Sequence, residues 1–192
     1  TQHGELAGRR AERVDASTDP QPDLGNASGG STVTEPSHHQ SHAETHRFAI
    51  ESFDACIFVG GNPPHPFVAP VVTRSRSVVA ADSGWRHAVS IGATPTIVLG
   101  DFDSITAAEL HEVHAADVPL IEYPSDKDQT DAEIALRFVA DSQATSLLLV
   151  SGGGDRFDHL LSLMHALCDD QLTSFRRCAI IGDTRIDIVT AS

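Results

Sequence analysis

A chain of 192 residues with 40% apolar content has room for one ordinary domain and a tail, since domains hold roughly 100 to 200 residues. Its formal net charge of −14 argues against a nucleic-acid binder, because affinity for a phosphate backbone comes mainly from Lys and Arg clusters that displace counterions. Any phosphate ligand of so acidic a protein needs a metal ion to bridge it. The sequence contains no run of 18 apolar residues and no apolar signal core at its start, so neither a membrane span nor secretion is indicated and a cytoplasmic protein is expected.

The elements follow in chain order. Residues 1–47 are dominated by Gly, Ser, Thr, Pro, Gln and charges without apolar periodicity, and such a segment buries too little surface to offset its ordering entropy. It reads as a disordered polar tail, and its cluster His38, His39, His42 and His46 reads as part of that tail rather than as a metal site. From residue 48 to 192 the pattern alternates. Short apolar runs predict strands at 55–59, 77–81, 96–99, 119–123, 146–150, 178–181 and 186–189. Helices are predicted at 85–91, with Gly92 as its C′ residue, at 106–116, where Thr106 and Glu109 have capping-box spacing, and at 130–142 and 157–168. Strands alternating with helices of 10 to 15 residues indicate βαβ units, hence an α/β fold with a Rossmann-like, doubly wound, mostly parallel sheet. Cys56, Cys168 and Cys178 are odd in number and lack metal-like spacing, so all three are expected as reduced core residues.

Every polar cluster after residue 59 falls at the C-terminal end of a predicted strand, where open α/β sheets bind ligands. Asp101 and Asp103 flank Phe102 directly after the third strand; residues i and i+2 leaving a strand can face the same way, and two hard oxygen ligands suit Mg²⁺. A Mg-nucleotide site is the first reading, with turn-forming aspartates as the plain alternative. Asp82, Ser83 and Gly84 follow the second strand. Lys127, Gln129, Thr130 and Asp131 lie between the fourth strand and its helix, where Lys127 can act as a point charge for phosphate and Asp131 can either cap the helix or join the acidic group. Gly152, Gly153 and Gly154 form a backbone that can approach phosphate closely ahead of a helix N-terminus. Beside them, Arg156 can hold phosphate bidentately, while Asp158 can cap the helix or reach a metal. His159 is open between a polar site residue and a buried helix position; His87, His111 and His114 read as helix-surface residues.

The ordered set of Asp82-Ser83-Gly84, Gly100-Asp101-Phe102-Asp103-Ser104, Asp126-Lys127-Asp128-Gln129-Thr130-Asp131 and residues 152–156 with Asp158 and His159 resembles the catalytic domain of thiamine pyrophosphokinases over about residues 55–189. The resemblance implies transfer of a pyrophosphoryl group from ATP to the hydroxyl of thiamine, giving thiamine diphosphate and AMP, by a Rossmann-like unit that works as a homodimer. It implies Asp101 and Asp103 as Mg²⁺ ligands, with Asp82 and Asp131 completing the acidic cluster, and Asp101, Asp103 and Asp131 as the catalytic set. Lys127, Gln129 and Thr130 would contact phosphates or substrate, and Gly153, Arg156 and Asp158 would hold the nucleotide. Ser83 and Asp155 stand where the family often has glycine, and Asp155 adds negative charge beside the phosphate loop. The family also carries a C-terminal β-sandwich domain that helps bind thiamine; this chain ends where that domain would begin, so it reads as a piece of a longer protein with the β-sandwich missing. Alternatives are a pyrophosphokinase for another small alcohol such as a hydroxymethyl pterin, a nucleotide-sugar transferase, and a non-catalytic nucleotide-binding module.

Overall fold

The structure, a computed structural model, describes residues 51–154 and 156–190. The tail at 1–47 with its histidines, and Asp155, lie outside the described residues. Seven strands, β1 (Ala55–Phe58), β2 (Ser77–Ala81), β3 (Ile97–Gly100), β4 (Leu120–Glu122), β5 (Ser146–Ser151), β6 (Arg176–Ile181) and β7 (Thr184–Ile188), form one sheet in the order β4-β3-β2-β1-β5-β6-β7. All neighbours pair in parallel except β6 with β7, an antiparallel pair turned at Gly182 and Asp183. Five α-helices are described: α1 (Ala69–Val72), α2 (Gly84–Ser90), α3 (Ala107–Ala115), α4 (Asp131–Ala140) and α5 (Phe157–Leu167).

The central strands are apolar apart from serines at the ends of β2 and β5 because both of their faces are covered. Alternate residues of β1 divide between two cores: Ala55 and Ile57 pack with Ile134, Leu136 and Val139 of α4 and Leu163 and Leu167 of α5. Cys56 and Phe58 point the other way, toward Val71 and Val72 of α1 and Ala88 of α2. A third cluster near β2 and β3 joins Ala80 and Val98 to Trp85 of α2 and Val113 of α3. Ile57 and Phe58 are fully buried, each contributing roughly 1.5–3 kcal/mol of hydrophobic stabilisation.

Topology places the helices. From β1 the chain adds β2, β3 and β4 outward in one direction, then returns through α4 to place β5 on the far side of β1. Right-handed crossovers put helices on opposite faces when the direction of strand addition reverses, which accounts for α4 and α5 sharing one core while α1 and α2 share another. The direction of strand addition reverses between β1 and β5, the place where open α/β sheets commonly bind ligands. There the loop after β1 meets the glycine loop: the Asn62 N–H donates to the Gly153 carbonyl at 2.9 Å. A Cβ on Gly152 would sit 1.9 Å from the Asn62 carbonyl oxygen, so this close approach of two backbones admits only glycine.

Helix starts are set by side chains. Thr106 and Glu109 form the expected reciprocal capping box on α3, and Thr130 and Glu133 form a second one on α4. Such N-caps contribute about 1 kcal/mol each. The structure corrects two expectations. Cys56 and Cys178 are buried core thiols whose pKa values burial pushes up to about 12, but Cys168 is exposed just beyond α5, past the last apolar turn. His87 is not on the helix surface; it is buried in α2, with Nε2 3.0 Å from the Gly61 carbonyl oxygen. Pro66–Val68 and α1, where prolines occupy first-turn positions that need no N–H donor, form a helical segment that was not expected.

Candidate active site

The end of β2 and the end of β3 interlock. The Asp82 N–H donates to the Leu99 carbonyl at 2.7 Å, continuing the ladder one residue past β2, and Asp82 then takes a left-handed conformation with φ of 47°. Gly100, at φ of 149°, lies so close that a Cβ on it would be 3.0 Å from the Asp82 Cβ. Phe102 is also left-handed, at φ of 61°, a conformation that costs a non-glycine residue about 1–2 kcal/mol. That turn sits between Asp101 and Asp103. One carboxylate oxygen each from Asp82, Asp101 and Asp103 lies within 4.8 Å of the others.

Asp82 is 6% exposed, and its Oδ1 is buried without a hydrogen-bond partner. Burial pushes its pKa above the usual carboxylate range; the Ser83 amide opposes the shift, and the charges of Asp131 and Asp103 add to it. Asp101 behaves differently: burial opposes its ionisation, but the Asp103 amide and the Lys127 ammonium outweigh that and hold its pKa low. The Asp103 N–H donates to Asp101 Oδ1 at 3.3 Å, and the Ser104 hydroxyl donates to Asp103 Oδ1 at 2.9 Å.

Lys127 links the cluster to α4. Its Nζ donates to Asp101 Oδ2 at 3.2 Å and lies 3.2 Å from Asp131 Oδ1. Burial opposes its charge, yet the two carboxylates raise its pKa. Asp131, the first residue of α4, has its pKa raised by burial, with Lys127 partly offsetting. Four carboxylates against one ammonium leave an excess of negative charge in a partly buried place, an arrangement that favours a hard divalent cation.

The structure therefore brings Asp82, Asp101, Asp103, Lys127 and Asp131 into one connected group. The other expected residues have separate engagements. Thr130 caps α4: its hydroxyl accepts the Glu133 N–H at 3.2 Å and donates to Glu133 Oε2 at 2.9 Å. Gln129 lines a solvent-open groove between α4 and α5 with Glu133, Arg137, His165 and Asp169, a concavity that shares no other residue with the expected site. Gly153, at φ of 78°, donates its N–H to the Ser151 hydroxyl at 3.1 Å. Arg156 and Asp158 pair with each other at the exposed start of α5, 2.5 Å apart, which holds the Asp158 carboxyl well below its usual range. The N-cap position of α5 is Arg156, whose side chain makes no capping hydrogen bond, while backbone N–H groups of the first turn, those of Asp158 and His159, help hold the Asp158 carboxyl low; His159 is exposed.

Two side chains of α2 tie down loops at this end of the sheet: Arg86, which the sequence does not single out, and His87, which it places on the helix surface. Arg86 of α2 donates from Nη2 to the Ser104 carbonyl at 2.6 Å and pairs through Nε with Glu109 at 2.9 Å. His87 ties α2 to the loop after β1. A helical wheel carries a signal for His87, since it falls between Gly84 and Ala88 on the buried face of α2. Arg86 carries none, because its partners come from a different loop and helix.

A sequence profile described as thiamin pyrophosphokinase, catalytic domain, matches residues 68–179, more than half of the chain. A thiamine pyrophosphokinase of Bacillus subtilis is 33% identical over 89 residues, a stretch covering 46% of this chain and 42% of that protein. The chain thus matches less than half of that curated relative's length. Among solved structures, thiamine pyrophosphokinase from Bacillus subtilis superposes with a TM-score of 0.57 at 24% identity, covering 68% of this chain and 60% of that one. A thiamin pyrophosphokinase family protein from Enterococcus faecalis gives 0.52 at 27% identity, covering 65% and 60%. Thiamin pyrophosphokinase from Candida albicans shares the fold with a TM-score of 0.57 at 11% identity, covering 69% and 62%. With its seven-stranded α/β sheet and the exits of β2, β3, β4 and β5 carrying acidic or lysine side chains or a glycine-rich loop, the chain belongs to the thiamin pyrophosphokinase catalytic-domain family.

Proposed function

We propose that this chain carries the nucleotide and metal half of a Mg-dependent thiamine diphosphokinase, which moves the terminal pyrophosphoryl group of ATP to the hydroxyl of thiamine. The hydroxyl oxygen forms a bond to the β-phosphorus, the bond from that phosphorus to the oxygen bridging it to the α-phosphorus breaks, and AMP departs. The hydroxyl proton passes to a carboxylate of the acidic cluster. The observation that carries this reading is that Asp82, whose Oδ1 is buried and unpartnered, brings its carboxylate within 4.8 Å of those of Asp101 and Asp103. Such an atom costs stability unless a cation or donor meets it, and its donor set fits Mg²⁺.

Asp82, Asp101 and Asp103 would hold the ion, with Asp131 beside them; Mg²⁺ bound there neutralises charge on the triphosphate. Lys127, already seated against Asp101 and Asp131, keeps those two carboxylates charged and supplies a point charge to a phosphate oxygen. Arg156 offers a planar fork to the nucleotide once it leaves Asp158, and the loop at Gly153 lets backbone approach a phosphate. Most of the rate enhancement in such a transfer comes from alignment and preorganised charge, so a rigid acidic loop matters more than a nucleophile. ATP and thiamine as substrates, a homodimer and a cytoplasmic setting belong to this same reading. Among the described residues no helix is long and apolar enough to cross a membrane.

Phosphorus NMR of the chain with Mg-ATP and thiamine tests the proposal. AMP and a new diphosphate ester are expected. ADP in place of AMP, or Mg-ATP showing no interaction at all, would overturn it. Mg-dependent ATP binding with turnover of a pterin alcohol rather than thiamine would keep the chemistry and change the acceptor.

A further inference from the structure

We propose that Phe102 and Arg86 are positioning residues that hold Asp103 in register with Asp82 and Asp101. This rests on the metal reading of the acidic cluster and extends it to two side chains that donate nothing to a cation.

Asp103 is exposed and lies outside any strand or helix, so by itself its carboxylate would sample many directions. Phe102 interrupts the two aspartates with an apolar ring in a left-handed backbone conformation, one that a bulky residue rarely adopts unless its surroundings impose it. The imposing feature is visible: the half-buried ring packs against the cluster of Ala80, Trp85, Val98 and Val113. The turn that places Asp101 and Asp103 on one side is therefore fixed by an anchor between them.

A second anchor lies one residue beyond Asp103. Arg86 donates from Nη2 to the Ser104 carbonyl at 2.6 Å while its Nε meets Glu109 at 2.9 Å. Glu109 is itself immobilised, because it closes the capping box of α3 by accepting the Thr106 N–H at 2.8 Å. The segment bearing Asp103 is thus tied on one side to a hydrophobic cluster and on the other to α2 and the start of α3. Groups that orient a metal's ligands in this way typically change affinity when removed, even though they never touch the ion.

The test uses the purified chain and Mn²⁺ as a spectroscopic probe, with free ion counted by electron paramagnetic resonance, and amide hydrogen exchange of residues 101–105 in metal-free protein. Phe102→Ala and Arg86→Gln are expected to weaken Mn²⁺ binding by about 10- to 100-fold and to speed exchange in that segment. Phe102→Leu, which keeps an apolar anchor, is expected to retain wild-type affinity and exchange. Arg86 is a surface side chain, so its variant reports even if Phe102→Ala unfolds. Wild-type Mn²⁺ affinity in Arg86→Gln and in a folded Phe102→Ala would overturn the positioning role while leaving the metal site standing. A wild-type chain that binds no Mn²⁺, with the segment nevertheless protected, would instead overturn the metal reading and this inference with it.

Discussion

Asp82 and Gly100 meet across the ends of β2 and β3 so closely that a single methyl group on Gly100 would stand 3.0 Å from the Asp82 Cβ and 3.2 Å from its backbone nitrogen. The acidic cluster depends on that contact, since it lets Asp82 turn left-handed over the neighbouring strand and bring its carboxylate to Asp101 and Asp103. Gly100→Ala is expected to lose about 1–3 kcal/mol of stability from its left-handed φ and the contact. Urea unfolding measures that loss, and Mn²⁺ titration of the folded variant should show weakened binding. A variant as stable as wild type would mean the two strand ends are free to move apart.

Replacing the buried charge separates stability from function. Burial disfavours the ionised form of Asp82, so Asp82→Asn removes a strained charge and is expected to raise the melting temperature of metal-free protein at neutral pH. Turnover should fall by about 10²–10³. A lower melting temperature would show that the Asp82 carboxylate is already satisfied in the free protein.

Asp101→Asn has the opposite stability sign, because this carboxylate is ionised and paired with Lys127. Its carboxylate is only slightly exposed beside Lys127, so the folding cost is expected at about 1–2 kcal/mol, while turnover is expected to drop sharply. Unchanged activity in a steady-state assay would remove Asp101 from the site.

Lys127→Ala leaves two carboxylates facing each other without their shared cation. The loss of stability is expected at about 1–3 kcal/mol, below the cost of breaking a fully buried pair because these groups keep some solvent contact. Millimolar Mg²⁺ should restore much of it by supplying the missing charge. Thermal melts with and without Mg²⁺ decide this, and a deficit insensitive to the ion would place Lys127 in a purely structural role.

His87 predicts a pH dependence. Burial lowers its pKa, with the Gly61 carbonyl opposing, whereas in the unfolded chain it titrates near about 6.5. The unfolded state therefore takes up the proton first. Stability from the neutral, buried imidazole is fully present above about pH 6.5 and is lost as the pH falls from there through the lower folded-state value. Urea midpoints at pH 7.5 and pH 5.5 are expected to fall further for wild type than for His87→Gln. Equal falls would mean the imidazole is charged at no cost in the folded protein.

Much of the architecture is legible in the residues. Apolar runs such as that in β2 and the Thr106–Glu109 pair at the start of α3 act locally, through burial periodicity and through reciprocal hydrogen bonds three residues apart, and local causes leave local signatures. The two capping boxes illustrate the boundary of that rule. Both have the same spacing, but beside an acidic first-turn residue the sequence leaves two candidates for the cap of α4, and it is the Thr130 hydroxyl, not the Asp131 carboxylate, that takes the Glu133 N–H.

Periodicity and motifs read along one dimension are enough for the succession of the seven strands and of α2 to α5, for the acidic character of the strand exits and for the family, but not for the helical segment at Pro66–Val72. Only the tertiary structure decided which of those residues meet. Asp82, Asp101 and Asp103 converge because β2 and β3 are parallel neighbours, and Lys127 joins Asp101 to Asp131 because the loop after β4 passes beside them. Arg86 and Ser104 are 18 positions apart and His87 and Gly61 are 26 apart. No pattern in the chain announces such pairs, because hydrogen-bond distance between them is a product of how the sheet is stacked and of which face each helix covers.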